Sequence, residues 1–214
     1  TRQPAKPNGS TPMKNWDETA RRCAMNEPTL TILLHQLLFQ GSFFLKNVTL
    51  SRKLGVPIRG SNPEARRAIL FFCVFILLSL LLAVGNIQFA RLNVLPERAA
   101  LVICLLLLAL NMAFGLASLS KLGDSWRVGV PEDQTTELVE SGIYRLSRNP
   151  YFVAYLLMFA AYTVLLQSLV LLILSCAGFC LVHAMILREE AHLEAQHGHA
   201  YQDYQRRVAR YLLL

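Results

Sequence analysis

Charged residues are scarce in this sequence. Only 16% of its 214 residues are Asp, Glu, Lys or Arg, whereas 54% are hydrophobic. A soluble domain typically has about 25% charged residues, because it must cover a surface that faces water. The composition therefore argues against an ordinary soluble enzyme, a disordered chain and a small disulfide-rich secreted module.

Three long stretches contain no charged residue at all: residues 68–90, 99–120 and 149–187, which are 23, 22 and 39 residues long. About 20 apolar residues in a helix cross a bilayer core. The first two stretches therefore predict one transmembrane helix each. The third predicts two helices, with a tight turn near Gln167 and Ser168.

A fourth apolar stretch, residues 29–45, is interrupted by His35, Gln36 and Gln40. Three arrangements are open for this segment: it spans the membrane, it dips into the membrane, or it lies at the interface. The sequence thus predicts an all-α polytopic bundle of four or five transmembrane helices.

We expect three regions along the chain. Residues 1–28 lack the apolar core of a signal peptide and predict a flexible polar tail. Residues 29–120 hold the N-terminal transmembrane helices, and residues 121–214 hold the last transmembrane hairpin and a polar C-terminal segment.

Positive charge is concentrated on one predicted side of the membrane. Lys and Arg number six in residues 46–67, four in 121–148 and four from 188 onward, against two in the link 91–98. The positive-inside rule places the first three segments in the cytoplasm. The net charge of +7 is then juxtamembrane, and no basic stretch is interleaved with aromatics as in a nucleic-acid binder. The predicted partner is therefore the lipid bilayer rather than nucleic acid, and the pattern specifies no oligomeric state.

The sequence also lacks a metal motif. Four of the five cysteines lie within apolar stretches and predict small buried side chains. His192, His197 and His199 are spaced i, i+5 and i+7, which does not place three imidazoles on one helical face. We therefore predict no metal site.

Two polar segments flank the last hairpin and carry the candidate chemistry. In the first, Ser141-Gly142 predicts a turn and Asn149-Pro150 predicts a helix start, with Asn149 as N-cap. Free amides at such a start bind a carboxylate, or the pattern is simply a well-capped helix. In the second, the adjacent Glu189 and Glu190 either bind a cation or form an ordinary charged helix end.

Together these segments resemble the isoprenylcysteine carboxyl methyltransferase family, which is grouped with the phospholipid methyltransferases. The resemblance runs from residue 122 onward and requires both parts with an apolar hairpin between them. The matching residues are Leu138, Val139, Ser141, Gly142, Tyr144, Arg145, Arg148, Asn149 and Pro150, followed by Glu189, Glu190, Leu193, Gly198, Tyr201, Tyr204, Val208 and Arg210.

The resemblance implies an integral membrane enzyme that uses S-adenosylmethionine, with a cofactor pocket closed by the C-terminal segment and a lipophilic methyl acceptor that enters from the bilayer. No Gly-x-Gly-x-x-Gly dinucleotide motif is present, which agrees with a cofactor site outside a Rossmann fold. Of the two acids we expect Glu190 rather than Glu189 to bind the cofactor. Expected cofactor-binding residues are Gly142, Tyr144, Asn149, Pro150, Tyr151, Glu189, Glu190, Tyr201 and Tyr204. Expected catalytic residues, which would hold an acceptor carboxylate or lipid phosphate, are Arg127, Arg148 and Arg210.

The sequence departs from the family pattern at two positions. Asn149 stands where the carboxyl methyltransferases usually have His, and Ala209 stands where Pro is usual. Asparagine does not titrate near neutral pH. The acceptor therefore stays open among a prenylcysteine carboxylate, a lipid amine and a small thiol. A non-catalytic lipid- or cofactor-binding relative and a transporter or structural membrane protein are the competing functional classes.

The charge asymmetry makes a topological prediction. Single cysteines introduced at Ser125 and Gln205 will be labelled from the same, cytoplasmic side by a membrane-impermeant maleimide. The cysteine-free background is the matched control. Labelling of the two positions from opposite sides would contradict the assigned orientation.

Overall fold

The computed structural model of the chain describes residues 25–54, 63–123 and 138–212. Most of the predicted tail, residues 1–24, and Arg127 lie outside the described residues. The described part is helical apart from turns and one isolated bridge, which confirms the predicted all-α bundle. Its elements are α1 (Glu27–Leu54), α2 (Pro63–Val84), α3 (Glu97–Leu122), a 3-10 turn (Gly142–Arg145), α4 (Pro150–Leu166), α5 (Leu169–His197) and α6 (His199–Arg207).

By length and composition, three of the described helices can cross a membrane: α2 from Arg66 onward, α3 and α5. Helix α4 is also apolar, and its 17 residues reach the lower end of the roughly 17–25 that a span requires. Large apolar side chains on the outer surfaces of the bundle are exposed, as expected of helices that face lipid. These features fit an integral membrane protein.

The hairpin predicted for residues 149–187 is present, and its turn is at Gln167 and Ser168. Gln167 adopts a left-handed conformation, with φ of 46°. Its side chain donates to the carbonyl of Leu95 at 2.9 Å and accepts from the amide of Leu95 at 2.7 Å. The hairpin turn and the link between α2 and α3 therefore lie at the same end of the bundle.

Helix α1 extends beyond the predicted stretch, and two of its interrupting polar residues, His35 and Gln36, bond to the rest of the bundle. The third, Gln40, is exposed and donates to Gln36 of the same helix. His35 is buried and contacts the Tyr162 hydroxyl at 2.7 Å and Asn111 Oδ1 at 2.8 Å. Gln36 donates to the same hydroxyl at 2.8 Å. In a membrane such bonds connect helices where apolar contacts alone give little preference for one partner. The polar groups of His35 and Gln36, which lower the hydropathy of α1, are therefore directed into the bundle.

Helices α2, α4 and α5 approach closely at Gly178 of α5. A Cβ atom at this position would lie 2.6 Å from Cε2 of Phe159 and 2.9 Å from Cε1 of Phe71. Real Cβ atoms do not approach other atoms this closely, so the absence of a side chain permits the contact.

Gly178→Ala will therefore destabilise the bundle by about 1–3 kcal/mol, because the added methyl overpacks the contact with Phe159. The matched control is Gly41→Ala in α1, where a Cβ meets no atom within 4 Å. That change will be neutral or stabilising, since alanine has the higher helix propensity. Thermal unfolding in one detergent measures both, and equal effects would contradict the close-packing account.

Candidate functional site

The predicted site residues meet at the end of the bundle opposite the Gln167 turn. Here the 3-10 turn leads into the start of α4, while the end of α5, helix α6 and residues 208–212 return to the same place. Asn149 is the N-cap of α4 and Pro150 is its first residue, as predicted. The Asn149 side chain, however, makes no capping hydrogen bond and points elsewhere.

The carboxylate of Glu190 is the centre of a buried polar cluster. Asn149 Nδ2 donates to Glu190 Oε1 at 2.9 Å, and an Arg148 guanidinium nitrogen lies 3.3 Å from the same oxygen. Arg210 donates to Oε2 through Nε at 3.0 Å and through a terminal nitrogen at 2.9 Å. This hydrogen bonding raises the pKa of Arg210 above its ordinary value. The cluster joins two guanidinium groups to one carboxylate and carries a net positive charge.

The C-terminal segment is attached to this cluster through its backbone. The amide of Arg148 donates to the carbonyl of Ala209 at 2.9 Å. Ser147, which is fully buried, donates its hydroxyl to the carbonyl of Arg210 at 3.1 Å and accepts from the Asn149 amide at 3.0 Å. Ala209 contributes a carbonyl to these contacts, which proline would also supply. The contacts hold the guanidinium of Arg210 beside Glu190.

Glu189 has a different environment from its neighbour. Among the residues that the structure describes, none makes a hydrogen bond or ion pair with the Glu189 carboxylate. The phenols of Tyr144, Tyr151 and Tyr201 are close enough to interact with it electrostatically. Burial raises the pKa of Tyr144, and the Glu189 carboxylate raises it further. Glu189 is thus an unpaired carboxylate among aromatic rings.

The 3-10 turn has a left-handed glycine at its first position. Gly142 has φ of +66°, and a Cβ there would collide with the Lys121 side chain, which passes over the turn from the end of α3. The carbonyl of Tyr144, in the same turn, accepts a hydrogen bond of 2.6 Å from the Tyr204 hydroxyl of α6. Helix α6 is thereby attached to the turn.

An apolar groove lies beside the polar cluster, on the outer surface of the last hairpin. Its volume is about 240 Å³. Tyr211, which directly follows Arg210, covers part of it and bonds to His183 at 2.7 Å. The lining residues are Val153, Leu156 and Leu157 of α4, Phe179 of α5, and Tyr211 and Leu212 of the C-terminal segment. The groove begins one helical turn from Asn149.

The structure brings together the predicted residues that it describes, in two groups. Arg148, Asn149, Glu190 and Arg210 form the polar cluster, while Gly142, Tyr144, Pro150, Tyr151, Glu189, Tyr201 and Tyr204 lie in the elements around it. Sequence reasoning missed Ser147, Lys121 and Tyr211. A serine two residues before an N-cap is a recognisable local signal for Ser147, whereas the other two contacts depend on tertiary packing.

Comparison with known families gives one finding. Residues 99–200 match the family described as phospholipid methyltransferase. The matched region covers almost all of α3, the 3-10 turn, α4 and α5, and reaches the first residues of α6. The comparison with curated proteins gives no match. The family match confirms the resemblance that the sequence motifs indicate.

Replacement of Glu190 and replacement of Glu189 by glutamine are expected to affect stability differently. Glu190→Gln removes the charge that balances the buried Arg148, and breaking such a pair costs roughly 3–5 kcal/mol. Glutamine retains neutral hydrogen bonds, so we expect about 3 kcal/mol of destabilisation and faster tryptic cleavage at Arg206 and Arg207. Thermal unfolding and limited proteolysis in detergent measure both effects.

The control for this experiment is Glu189→Gln, which changes the adjacent carboxylate. Glu189 is half-buried, and no described residue makes a polar bond to it, so the neutral glutamine will leave the free energy of unfolding unchanged or raise it. Equal destabilisation by the two substitutions would contradict the structural role assigned to the Glu190 cluster.

Proposed function

We propose that this membrane protein transfers a methyl group from S-adenosylmethionine to a lipophilic acceptor, because residues 99–200 match the family described as phospholipid methyltransferase. The observation that carries the proposal is the unpaired Glu189 carboxylate among three tyrosines, beside a cluster of net positive charge. A ligand that carries a carboxylate, an ammonium group and a further cation requires both a negatively charged and a positively charged environment. We further propose that this end of the bundle faces the cytoplasm.

The residues present fit S-adenosylmethionine. Glu189 suits its ammonium group or a ribose hydroxyl, and tyrosine rings suit its sulfonium and adenine. Arg148 has a side chain only 9% exposed, and its Nε has no hydrogen-bond partner within the described part of the chain. That guanidinium suits the ligand carboxylate. We therefore assign Glu189, rather than the Glu190 favoured by the motif alone, to direct cofactor binding.

Glu190 then has an organising role. Its carboxylate holds Arg148, Asn149 and Arg210 in place, so the two glutamates divide binding and positioning between them. Asn149 acts here as a hydrogen-bond donor to Glu190, a role that requires no titration.

The bound cofactor supplies both the methyl group and the leaving group of the displacement. The chain therefore has to bind, align the reactants and exclude water. The attachment of residues 208–212 to Arg148 and Ser147 supports the last of these roles, because this segment covers the polar cluster.

The apolar groove supports a lipophilic acceptor. Its lining is hydrocarbon and aromatic. Arg210, which precedes Tyr211 of the lining, is bonded to Glu190 on one side, but its side chain is 35% exposed, and its other terminal nitrogen suits an acidic head group. We propose an acceptor with an aliphatic chain and a carboxylate, as in an isoprenylcysteine. The description of the matched family favours a second candidate, a phospholipid amine, which must lose its proton before it accepts a methyl group.

The test of cofactor use is the binding of S-adenosylhomocysteine to purified protein in detergent. The wild type will bind, and Glu189→Gln will bind roughly 10- to 100-fold more weakly, because it loses a charge-assisted bond worth about 1.5–3 kcal/mol. Glu97→Gln, at the far end of α3, is the matched control and will bind as the wild type does. No binding by the wild type would refute the proposed function.

Methyl transfer identifies the acceptor. Radiolabelled S-adenosylmethionine incubated with the protein and total membrane extract will label a lipid-soluble product. A base-labile label identifies a methyl ester on a carboxylate, and a base-stable label on a phospholipid identifies the amine. Binding without any labelled product would indicate a non-catalytic relative.

A further inference from the structure

Helix α1 lies outside the matched region, yet one of its faces packs against that region. His35, Phe39 and Phe43 follow each other at intervals of four residues, so they form one stripe along the helix. All three are buried, with exposures of 6%, 1% and 6%. Because the next residue, Phe44, is 70% exposed, this stripe marks the face of α1 that packs against the rest of the bundle.

The first member of the stripe is anchored by a complete set of hydrogen bonds. Asn111 donates its amide to the carbonyl of Ala154 at 2.6 Å, which leaves Oδ1 to accept from His35 Nε2 at 2.8 Å. His35 Nδ1 is then an acceptor for the Tyr162 hydroxyl at 2.7 Å. A neutral imidazole thus satisfies both of its nitrogens and connects α1 to α3 and α4.

The second member fills the space between these anchors and the next tyrosine. The Phe39 ring stacks on His35 at a centroid distance of 5.5 Å and meets Tyr155 edge-on, also at 5.5 Å. It also lies over Gly115 of α3, where a Cβ would come within 2.9 Å of the ring. The position of Phe39 is therefore set by α3 and α4 together.

The third member reaches the proposed cofactor site. Phe43 contacts Tyr151 edge-on at a centroid distance of 5.4 Å, and the Tyr151 hydroxyl donates to that of Tyr155 at 3.3 Å. Tyr151 lies two residues after Asn149, whose side chain donates to Glu190, the neighbour of Glu189. It is also one of the three phenols that interact electrostatically with Glu189. The stripe thus begins at a buried hydrogen-bond network and ends behind a ring of the site.

We infer that α1 is part of the methyltransferase site: His35 anchors the helix, and Phe43 positions the Tyr151 ring beside Glu189. This inference rests on the proposed function, because it assigns Tyr151 to the cofactor site. His35 and Phe43 are positioning residues, since each acts through a tyrosine. The catalytic unit then extends beyond residues 99–200 to include a helix that the family match does not cover.

The test measures S-adenosylhomocysteine affinity in full-length protein, well below the unfolding temperature. Phe43→Leu keeps an apolar side chain but loses the edge-on contact with Tyr151, and it will bind roughly three- to tenfold more weakly. Phe44→Leu, on the exposed face of the same helix, is the matched control and will bind as the wild type does.

Two substitutions of His35 distinguish loss of its hydrogen bonds from a general loss of stability. His35→Leu removes both hydrogen bonds and will weaken binding by a similar factor. His35→Gln retains one amide donor for Asn111 and one carbonyl acceptor for Tyr162, so it will restore most of the affinity. Where His35→Leu does not fold, Phe43→Leu decides the question.

The outcomes separate this inference from the proposed function. Binding by the wild type with unchanged affinity in both Phe43→Leu and His35→Leu overturns the role of α1 and leaves the methyltransferase proposal intact. Absence of binding by the wild type overturns both. Weakened binding in Phe43→Leu with normal binding in Phe44→Leu supports the inference.

Discussion

The buried Glu190 carboxylate connects three parts of the chain that are far apart in sequence. It lies near the end of α5, and its partners come from the start of α4 and from the C-terminal segment. A buried carboxylate requires such partners, because its removal from water is costly unless charge and hydrogen bonds replace the lost hydration. The position of Arg210, the covering of the site and the beginning of the apolar groove all depend on this arrangement.

The membrane imposes a related constraint on the helices. Hydrocarbon solvates leucine as well as a protein interior does, so polar bonds and close contacts must specify which helices pair. The network around His35 supplies the polar bonds for α1, and Gly178 supplies a close contact for α5. Both features lie deep in the bundle, and both orient aromatic residues of α4.

Adjacent glutamates at one helix end have distinct roles because consecutive residues on a helix point in directions about 100° apart. Glu190 points toward α4 and the C-terminal segment, where its charge is balanced, while Glu189 points toward the tyrosines. One carboxylate is therefore paired with described residues of two other segments, whereas the other makes no polar bond to the described residues. The sequence motif alone does not indicate which of the two glutamates is paired.

Local features of the sequence determined much of this protein. Charge-free stretches of known length predicted the apolar helices, and the N-cap at Asn149 and the hairpin turn at Gln167 followed from residue types at fixed positions. These features depend on neighbours within one or two helical turns. The tertiary structure alone decided that, of the two acids, Glu190 and not Glu189 is paired with a described residue, and that α1 lies against Tyr151. These contacts join residues from 20 to more than 100 positions apart.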